Sequence, residues 1–305
     1  MSATRIALVG IGKICRDQHI PTIAANPDFE LVAAVTGHTA PDGVPGFGTI
    51  TEMASALAVD AVSVCTPPRG RLELISEALE LGLDVMIEKP PAATLSEAEA
   101  FASLARDAGR VLYATWHSRE AAGVEPARRW LEGKRIRGVT CHWKEDVRVW
   151  HPGQAWIWEP GVGVFDPGIN ALSVLTSILP QPLLLQSAEL RFPANRDAPI
   201  AADLDYTHGD APVRVEFDFD QRGPQTWDIH VETDGGALTL SLGASRLAID
   251  GVPVDAGEEP EYARLYRRFA ELLARRESDV DLTPFRHVAD AFLLGRRTTT
   301  IPFED

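Results

Sequence analysis

Short apolar runs rich in β-branched residues recur through the first third of the chain, at residues 5–9, 30–35, 61–65, 84–87 and 111–114, and the residues between them are spaced as in helices. That alternation predicts parallel strands joined by crossover helices, with each strand buried on both faces and therefore apolar throughout. Thr94 followed by Glu97 reads as a capping box opening a helix that runs to Ala108. Pro21 is expected to kink or shorten the first helix, because its ring removes a backbone donor. After residue 120 the period changes. Val213, Val215, Phe217 and Phe219 alternate with Arg214, Glu216 and Asp218, the mark of an antiparallel strand with one wet face. Asp234-Gly235-Gly236 and Asp250-Gly251 punctuate further alternating runs as hairpin turns do. Tyr262, Leu265, Tyr266, Phe269, Leu272 and Leu273 return to helical spacing, and Thr283-Pro284 opens a last helix through Phe292. The pattern predicts an α/β protein: a parallel-sheet domain over residues 1–120, then an α/β domain with an open, largely antiparallel sheet over 121–305.

Composition agrees with two globular domains, at 305 residues with 45% apolar and 24% charged. The 29 Lys and Arg against 44 Asp and Glu leave a charge of -15, the wrong sign for neutralising nucleic-acid phosphates. Cys15, Cys65 and Cys141 lack the paired spacing of a metal site and the even count of a disulfide framework, so they read as reduced thiols in a cytoplasmic protein. The apolar stretch 6–11 is too short for a signal-peptide core and reads as a strand. An uncharged run over 167–188 is long enough to raise a membrane question, which Asn170, Pro180 and Pro182 answer in the negative.

Gly10-Ile11-Gly12-Lys13-Ile14-Cys15 lies where the first strand passes into the first helix. Glycines there permit a tight turn and let backbone amides approach a pyrophosphate; Cys15 stands in place of the usual third Gly or Ala. A glycine-rich turn that binds nothing is the bland alternative, made weaker by the strand–turn–helix order. The second strand ends Val35-Thr36-Gly37-His38, with neither the acid of an NAD site nor the Arg of an NADP site, so the choice of cofactor stays open. Thr36 can donate to a hydroxyl or phosphate, and His38 can lie over an adenine or near a 2'-phosphate. Thr66-Pro67-Pro68, at the end of the 61–65 strand, either lines a nicotinamide crevice or simply stops a helix.

Only four of the 29 basic residues are lysines, and one of them, Lys89, sits in Glu88-Lys89-Pro90-Pro91 directly after a strand. A lysine kept in so arginine-biased a chain suits a compact charge with a tunable pKa. Asp166 and Asn170 are four apart at the start of a helical run, on one face, although Asp166 can also be read as a plain N-cap. Trp143, Trp150, Trp156 and Trp158 crowd into sixteen residues with Lys144, Glu145, Asp146 and His151. Core aromatics are the default for any single tryptophan; so dense a mixture of flat apolar faces and polar groups suits a sugar ring.

These motifs, together with W-H-S-R at 116–119, W-K-E-D at 143–146, W-H-P-G at 150–153 and F-D-P-G-I-N at 165–170, resemble the glucose-fructose oxidoreductase, inositol dehydrogenase and MocA-type dehydrogenases over essentially the whole chain. Within that family the similarity is to aldose 1-dehydrogenases. The resemblance implies an N-terminal Rossmann domain holding NAD or NADP through Gly10, Gly12, Lys13, Ile14, Thr36, His38, Thr66, Pro67, Glu88 and Lys89. It also implies a C-terminal domain whose open sheet forms a dimer interface. Lys89 matches the family's E-K-P lysine, and Asp166 the aspartate of its D-x-x-x-H pattern, which here ends in Asn170. Asparagine cannot titrate, so the usual histidine relay is excluded and Asp166 becomes the base.

By the same resemblance His117, Glu145, Trp150, His151 and Trp227 contact the sugar. The implied reaction oxidises C1 of D-galactose, D-fucose or L-arabinose to the lactone. A polyol or cyclitol dehydrogenase and a non-catalytic NAD(P)-binding sugar sensor are the other readings.

Overall fold

Six short apolar segments pair in register and all in parallel: β1 (Thr4–Val9), β2 (Phe29–Val35), β3 (Gly46–Phe47), β4 (Ala61–Val64), β5 (Asp84–Ile87) and β6 (Leu112–Ala114), in the order β3-β2-β1-β4-β5-β6. The computed structural model describes residues 2–304. Every residue of β4, β5 and β6 is buried, which is why these strands read as continuous apolar runs. β3 has two residues, too few to show any period. The strand order reverses between β1 and β4, so their C-terminal ends border the crevice where open sheets of this kind bind ligands.

The crossovers are α1 (Ile20–Ala25), α2 (Ile50–Ala56), α3 (Arg71–Glu80) and α4 (Leu95–Ala108). Ahead of α1, residues 15–19 form a wider turn in which the Ile20 N–H reaches the Cys15 carbonyl five residues back. Pro21, which has no N–H to donate, then sits in the first turn of a helix only six residues long. Thr94 caps α4 by accepting from the Glu97 N–H at 3.3 Å, but the Glu97 carboxylate reaches the Ala93 N–H rather than that of Thr94. The fully reciprocal capping box lies at Thr49 and Glu52, at the start of α2.

The chain divides into two compact units: one runs to Trp116 and takes in Tyr262–Leu282, and the other comprises His117–Glu261 and the chain from Thr283 onward. In the second unit follow α5 (Val124–Leu131), β7 (Ile136–Lys144), α6 (Val147–Trp150), α7 (Phe165–Ile178), β8 (Leu183–Pro193), β9 (Ala201–His208), β10 (Ala211–Asp218), β11 (Thr226–Thr233), β12 (Gly236–Ser241), β13 (Arg246–Ile249) and β14 (Val252–Val254). After α8 (Glu261–Arg275), the chain ends with α9 (Thr283–Leu294) and β15 (Arg296–Thr300). Nine strands pair in the order β14-β13-β12-β11-β7-β10-β9-β8-β15, antiparallel except for β7 with β10 and β8 with β15.

β10 shows the alternation directly, with Val213, Val215 and Phe217 buried and Pro212 and Arg214 exposed. Asp250 and Gly251 both have positive φ, 49° and 78°, as a two-residue hairpin turn requires. The uncharged run 167–188 becomes the body of α7 and the start of β8, and among the described residues no helix is long and apolar enough to cross a membrane.

α8 buries Tyr262, Leu265, Tyr266, Phe269 and Leu272 in the core of the parallel-sheet unit, where Phe269 stacks on Phe29 at 5.9 Å and on Tyr113 at 6.2 Å. Residues 262–282, expected within the 121–305 domain, therefore complete the other unit. Periodicity names the buried stripe of a helix but not the surface that buries it.

α7 packs so closely on β10 that a Cβ at Gly168 would lie 2.6 Å from the ring of Phe217, itself buried. Gly168→Ala is expected to lower the free energy of unfolding by about 1–3 kcal/mol, through overpacking, despite alanine's better helix propensity. Urea denaturation measures this, and Phe217→Leu in the same chain should restore part of the loss.

Candidate active site

In the first unit the turn after β1 is built around Gly10, whose φ is +87° and whose absent Cβ would meet Thr66 Cγ2 at 2.7 Å and the Thr66 N at 3.0 Å. A glycine is thus required for the turns after β1 and β4 to approach each other. A Cβ at Gly12 would meet nothing within 4 Å, which leaves its backbone open to approach. Cys15, in place of the usual small residue, points inward and donates to the Gly10 carbonyl at 3.0 Å.

Gly10, Gly12, Thr36, His38, Thr66 and Pro67 line a cleft of about 370 Å³. Lys13 and Ile14 are not among its lining residues; Lys13 pairs with Asp17 on the exposed side of the turn. Thr66 Oγ1 is buried without a hydrogen-bond partner among the described residues. A buried hydroxyl in that state costs about 1–3 kcal/mol, so this wall fits a ligand rich in hydrogen-bonding groups. The cleft therefore fits a dinucleotide. Arg16, which the sequence reading passed over, donates to the Thr39 carbonyl at 3.2 Å and so brings a guanidinium to the loop that follows β2.

The loop after β5 carries Glu88 and Lys89, with a cis bond between Lys89 and Pro90. Glu88 is buried: its Oε1 accepts from Tyr262 Oη at 2.6 Å and lies 3.0 Å from His19 Nε2, and its Oε2 accepts from the Lys89 N–H at 3.0 Å. Tyr266 Oη lies 2.8 Å from His19 Nδ1. Burial opposes a charge on His19, but the Cys65 sulfur and the Glu88 carboxylate outweigh it and push its pKa up to about 10. Glu88, read from the sequence as a cofactor contact, is thus placed as the inward anchor of the half-buried Lys89.

Arg71, only 2% exposed, donates to the carbonyls of Thr66, Glu88, Pro90 and Pro91 and so ties the loops after β4 and β5 together. Burial pushes its pKa down to about 10, against the pull of Glu88, so it stays cationic at neutral pH. His19, Arg71, Tyr262 and Tyr266 were all missed as functional supports. Polar residues at core spacing, such as the two tyrosines four apart, were the available signal.

In the second unit Asp166 lies in the first turn of α7 and is 5% exposed, a buried helix residue and not an N-cap. His151 Nε2 is 3.4 Å from Asp166 Oδ2 and 3.8 Å from Glu145 Oε1. Glu145, also buried, accepts from Trp227 Nε1 at 2.9 Å, and Trp227 lies between Trp150, at 4.9 Å, and the buried Trp143, at 6.0 Å. One turn past Asp166, Asn170 has a buried Oδ1 without a hydrogen-bond partner among the described residues. The structure thus brings Glu145, Trp150, His151, Asp166 and Trp227 together, with Asn170 on the same helix. His117 lies on a short turn, its Nδ1 2.7 Å from Glu261. Trp158 packs instead on Phe303, at 5.1 Å.

Residues 4–115 match the model of the glucose-fructose oxidoreductase, inositol dehydrogenase and MocA oxidoreductase family, with an NAD-binding Rossmann fold. The whole chain is 44% identical to a galactose 1-dehydrogenase of Pseudomonas fluorescens, covering 100% of both. The chain belongs to this family. The crystal structure of a D-galactose-1-dehydrogenase from Rhizobium etli is 51% identical, with a TM-score of 0.96 over 100% of this chain and 99% of that one. A 3-ketoreductase from Actinomadura kijaniata in complex with NADP is 18% identical with a TM-score of 0.83, covering 98% and 99% of the two chains, and shares the fold. As a member of this oxidoreductase family the protein is an NAD(P)-dependent enzyme.

Arg71→Met removes every donor while keeping side-chain length. It is expected to cost about 3 kcal/mol or more, because several carbonyls are orphaned at about 1–3 kcal/mol each, and to weaken NAD(P) binding. Urea unfolding and fluorescence titration check both; a folded variant with unchanged nucleotide affinity would mean that the loops hold without the guanidinium. With no acid at the end of β2 and Arg16 beside the loop, both NAD and NADP are expected to serve, within about a thousandfold of each other in kcat/KM. Arg16→Ala should weaken NADP more than NAD. Gly37→Arg, whose Cβ has open space around it, should shift preference toward NADP in steady-state assays.

Proposed function

We propose that this protein is an aldose 1-dehydrogenase that oxidises C1 of D-galactose, and also of D-fucose and L-arabinose, to the lactone. The observation that carries the reading is the pair of buried carboxylates, Glu145 and Asp166, joined by the half-buried His151 and walled by Trp150 and Trp227, in a chain similar from end to end to a galactose 1-dehydrogenase. A carboxylate pair beside flat aromatic faces suits a ring with an apolar C–H face and a rim of hydroxyls.

Oxidation of C1 removes one hydride and one proton. A bound NAD or NADP supplies the hydride acceptor. Gly10, Gly12, Thr36, His38, Thr66 and Pro67 would hold the dinucleotide; Lys13, Ile14, Glu88 and Lys89 do not line that cleft. Asp166 takes the proton from O1 as general base, and Lys89 donates to the same oxygen as negative charge develops on it. Asn170 Oδ1 accepts from a ring hydroxyl, which relieves its unpartnered state and fixes the ring's orientation. Glu145 accepts from further hydroxyls, oriented by its bond from Trp227 Nε1. Trp150, 39% exposed, offers its face to the sugar, and His117 and His151 supply polar contacts. The same reading makes the protein a cytoplasmic homo-oligomer joined through the open face of the nine-stranded sheet.

Lys89→Ala and Asp166→Ala are each expected to reduce kcat by about a hundredfold or more, with nucleotide affinity retained. Near wild-type turnover in either folded variant would remove that residue from the mechanism. Among sugars, D-galactose, D-fucose and L-arabinose should all be oxidised, because they share ring stereochemistry through C4 and differ only in the C5 substituent. Loss of that substituent against an apolar wall costs about 1–3 kcal/mol. D-Glucose inverts the C4 hydroxyl and leaves buried polar groups without partners, so it should be much poorer. Comparing kcat/KM for the four sugars tests the assignment, and equality of glucose with galactose would overturn it.

A further inference from the structure

α7 carries no titratable side chain besides Asp166, since the position one turn on is Asn170. Asp166 is 5% exposed and Glu145 is 3% exposed, so a proton taken by Asp166 is shut away from bulk water. His151 reaches both carboxylates through Nε2, at 3.4 Å from Asp166 and 3.8 Å from Glu145. It also lines an open cleft of about 340 Å³ with Arg148, Pro152, Gly153, Gln154 and Trp158, which neither carboxylate lines. Of the three groups, His151 alone joins the buried carboxylates to that cleft.

The ring is also oriented for transfer. Trp156 Nε1 donates to Gln154 Oε1 at 3.1 Å, which fixes that oxygen as an acceptor. His151 Nδ1 lies 3.5 Å from the same oxygen. A proton on Nδ1 therefore faces Gln154 and the cleft, and the Nε2 lone pair faces Asp166. Glu145 and Asp166 are charged groups at the ring, and Arg148, paired with Asp146 and Asp220, lines the same cleft.

We propose that His151 is the proton relay of this enzyme, doing from the W-H-P-G loop what Asn170 cannot do from α7. The proposal rests on the reading of Asp166 as the base in sugar oxidation. As the O1–H bond breaks, the Asp166 carboxylate takes the proton and forms a carboxylic O–H. That proton passes to Nε2 of neutral His151, restoring the carboxylate and forming an imidazolium. The imidazolium releases its Nδ1 proton to water in the cleft, and proton exchange with that water returns the neutral ring to its Nδ1–H tautomer before the next turnover. One proton reaches solvent per turnover, and the relay moves no electrons.

The test compares wild type, His151→Ala and His151→Gln in galactose oxidation across pH 5.5–10 at saturating substrates. In wild type kcat should rise with pH, because the relay empties only when the imidazolium gives up its proton. Both variants should lose that rise and about tenfold or more in kcat, a loss beyond the rise in KM for galactose that a missing sugar contact brings. Added imidazole should restore kcat in His151→Ala in proportion to its concentration. A readout without turnover is the NMR titration of His151 in the cofactor-free protein, whose midpoint should move in Asp166→Asn. A raised KM with an unchanged kcat–pH profile and no rescue by imidazole would make His151 a sugar contact only and overturn the relay; an unmoved NMR midpoint would do the same. If the wild-type enzyme oxidises no aldose, the functional reading itself fails, an outcome distinct from turnover that is indifferent to His151.

Discussion

A single guanidinium, that of Arg71, holds the loops that follow β4 and β5, and the geometry of the candidate site in the first unit depends on it. Its partners are the carbonyls of Thr66, Glu88, Pro90 and Pro91. Prolines at 67, 68, 90 and 91 lack N–H groups, so these loops cannot knit themselves together by backbone pairing of the ordinary kind. A fixed fork of donors does it instead. The arrangement places Thr66 against Gly10 and sets where Lys89 leaves the sheet.

Behind Lys89 the same logic continues with a second buried charge. His19 and Glu88 are both almost inaccessible to solvent, and each makes the other tolerable: the carboxylate supports the imidazolium, while Tyr262 and Tyr266 complete the hydrogen bonding. The remaining carboxylate oxygen holds the Lys89 backbone. Lys89 is thereby carried by groups from the first helical turn, β5 and α8. In the proposed role of Lys89 such support matters, because misplacement of a catalytic ammonium by an ångström is enough to lose a large part of the rate.

The second unit solves a different problem. A sugar, the substrate proposed for it, is neutral and heavily hydrated, so a site for one must combine apolar faces with acceptors that replace water. Glu145 and Asp166 are buried with an imidazole between them, and the indoles of Trp150 and Trp227 lie beside them. The register of β7 against β11 pairs Trp143 with Trp227, and the end of β7 delivers Glu145 to the same place. α7, pressed on β10 at Gly168, brings in Asp166 and Asn170.

Sequence by itself determined the element types, the glycine turn after β1, the place of Lys89 directly after a strand and of Asp166 at the start of a helix, and the crowding of tryptophans with acids. These are local facts, written in periodicity and in residue types that few other roles explain. It did not determine that residues 262–282 join the parallel-sheet unit, because an apolar stripe is the same whatever covers it. Arg71 looked like any other arginine, since nothing in a linear pattern marks a cation as buried among carbonyls. His151 was legible as a polar neighbour of the tryptophans, yet its position between two carboxylates depends on where β7 ends, how the 150–158 segment turns and how α7 is laid on the sheet. Those placements come from long-range packing, which only the tertiary structure decides.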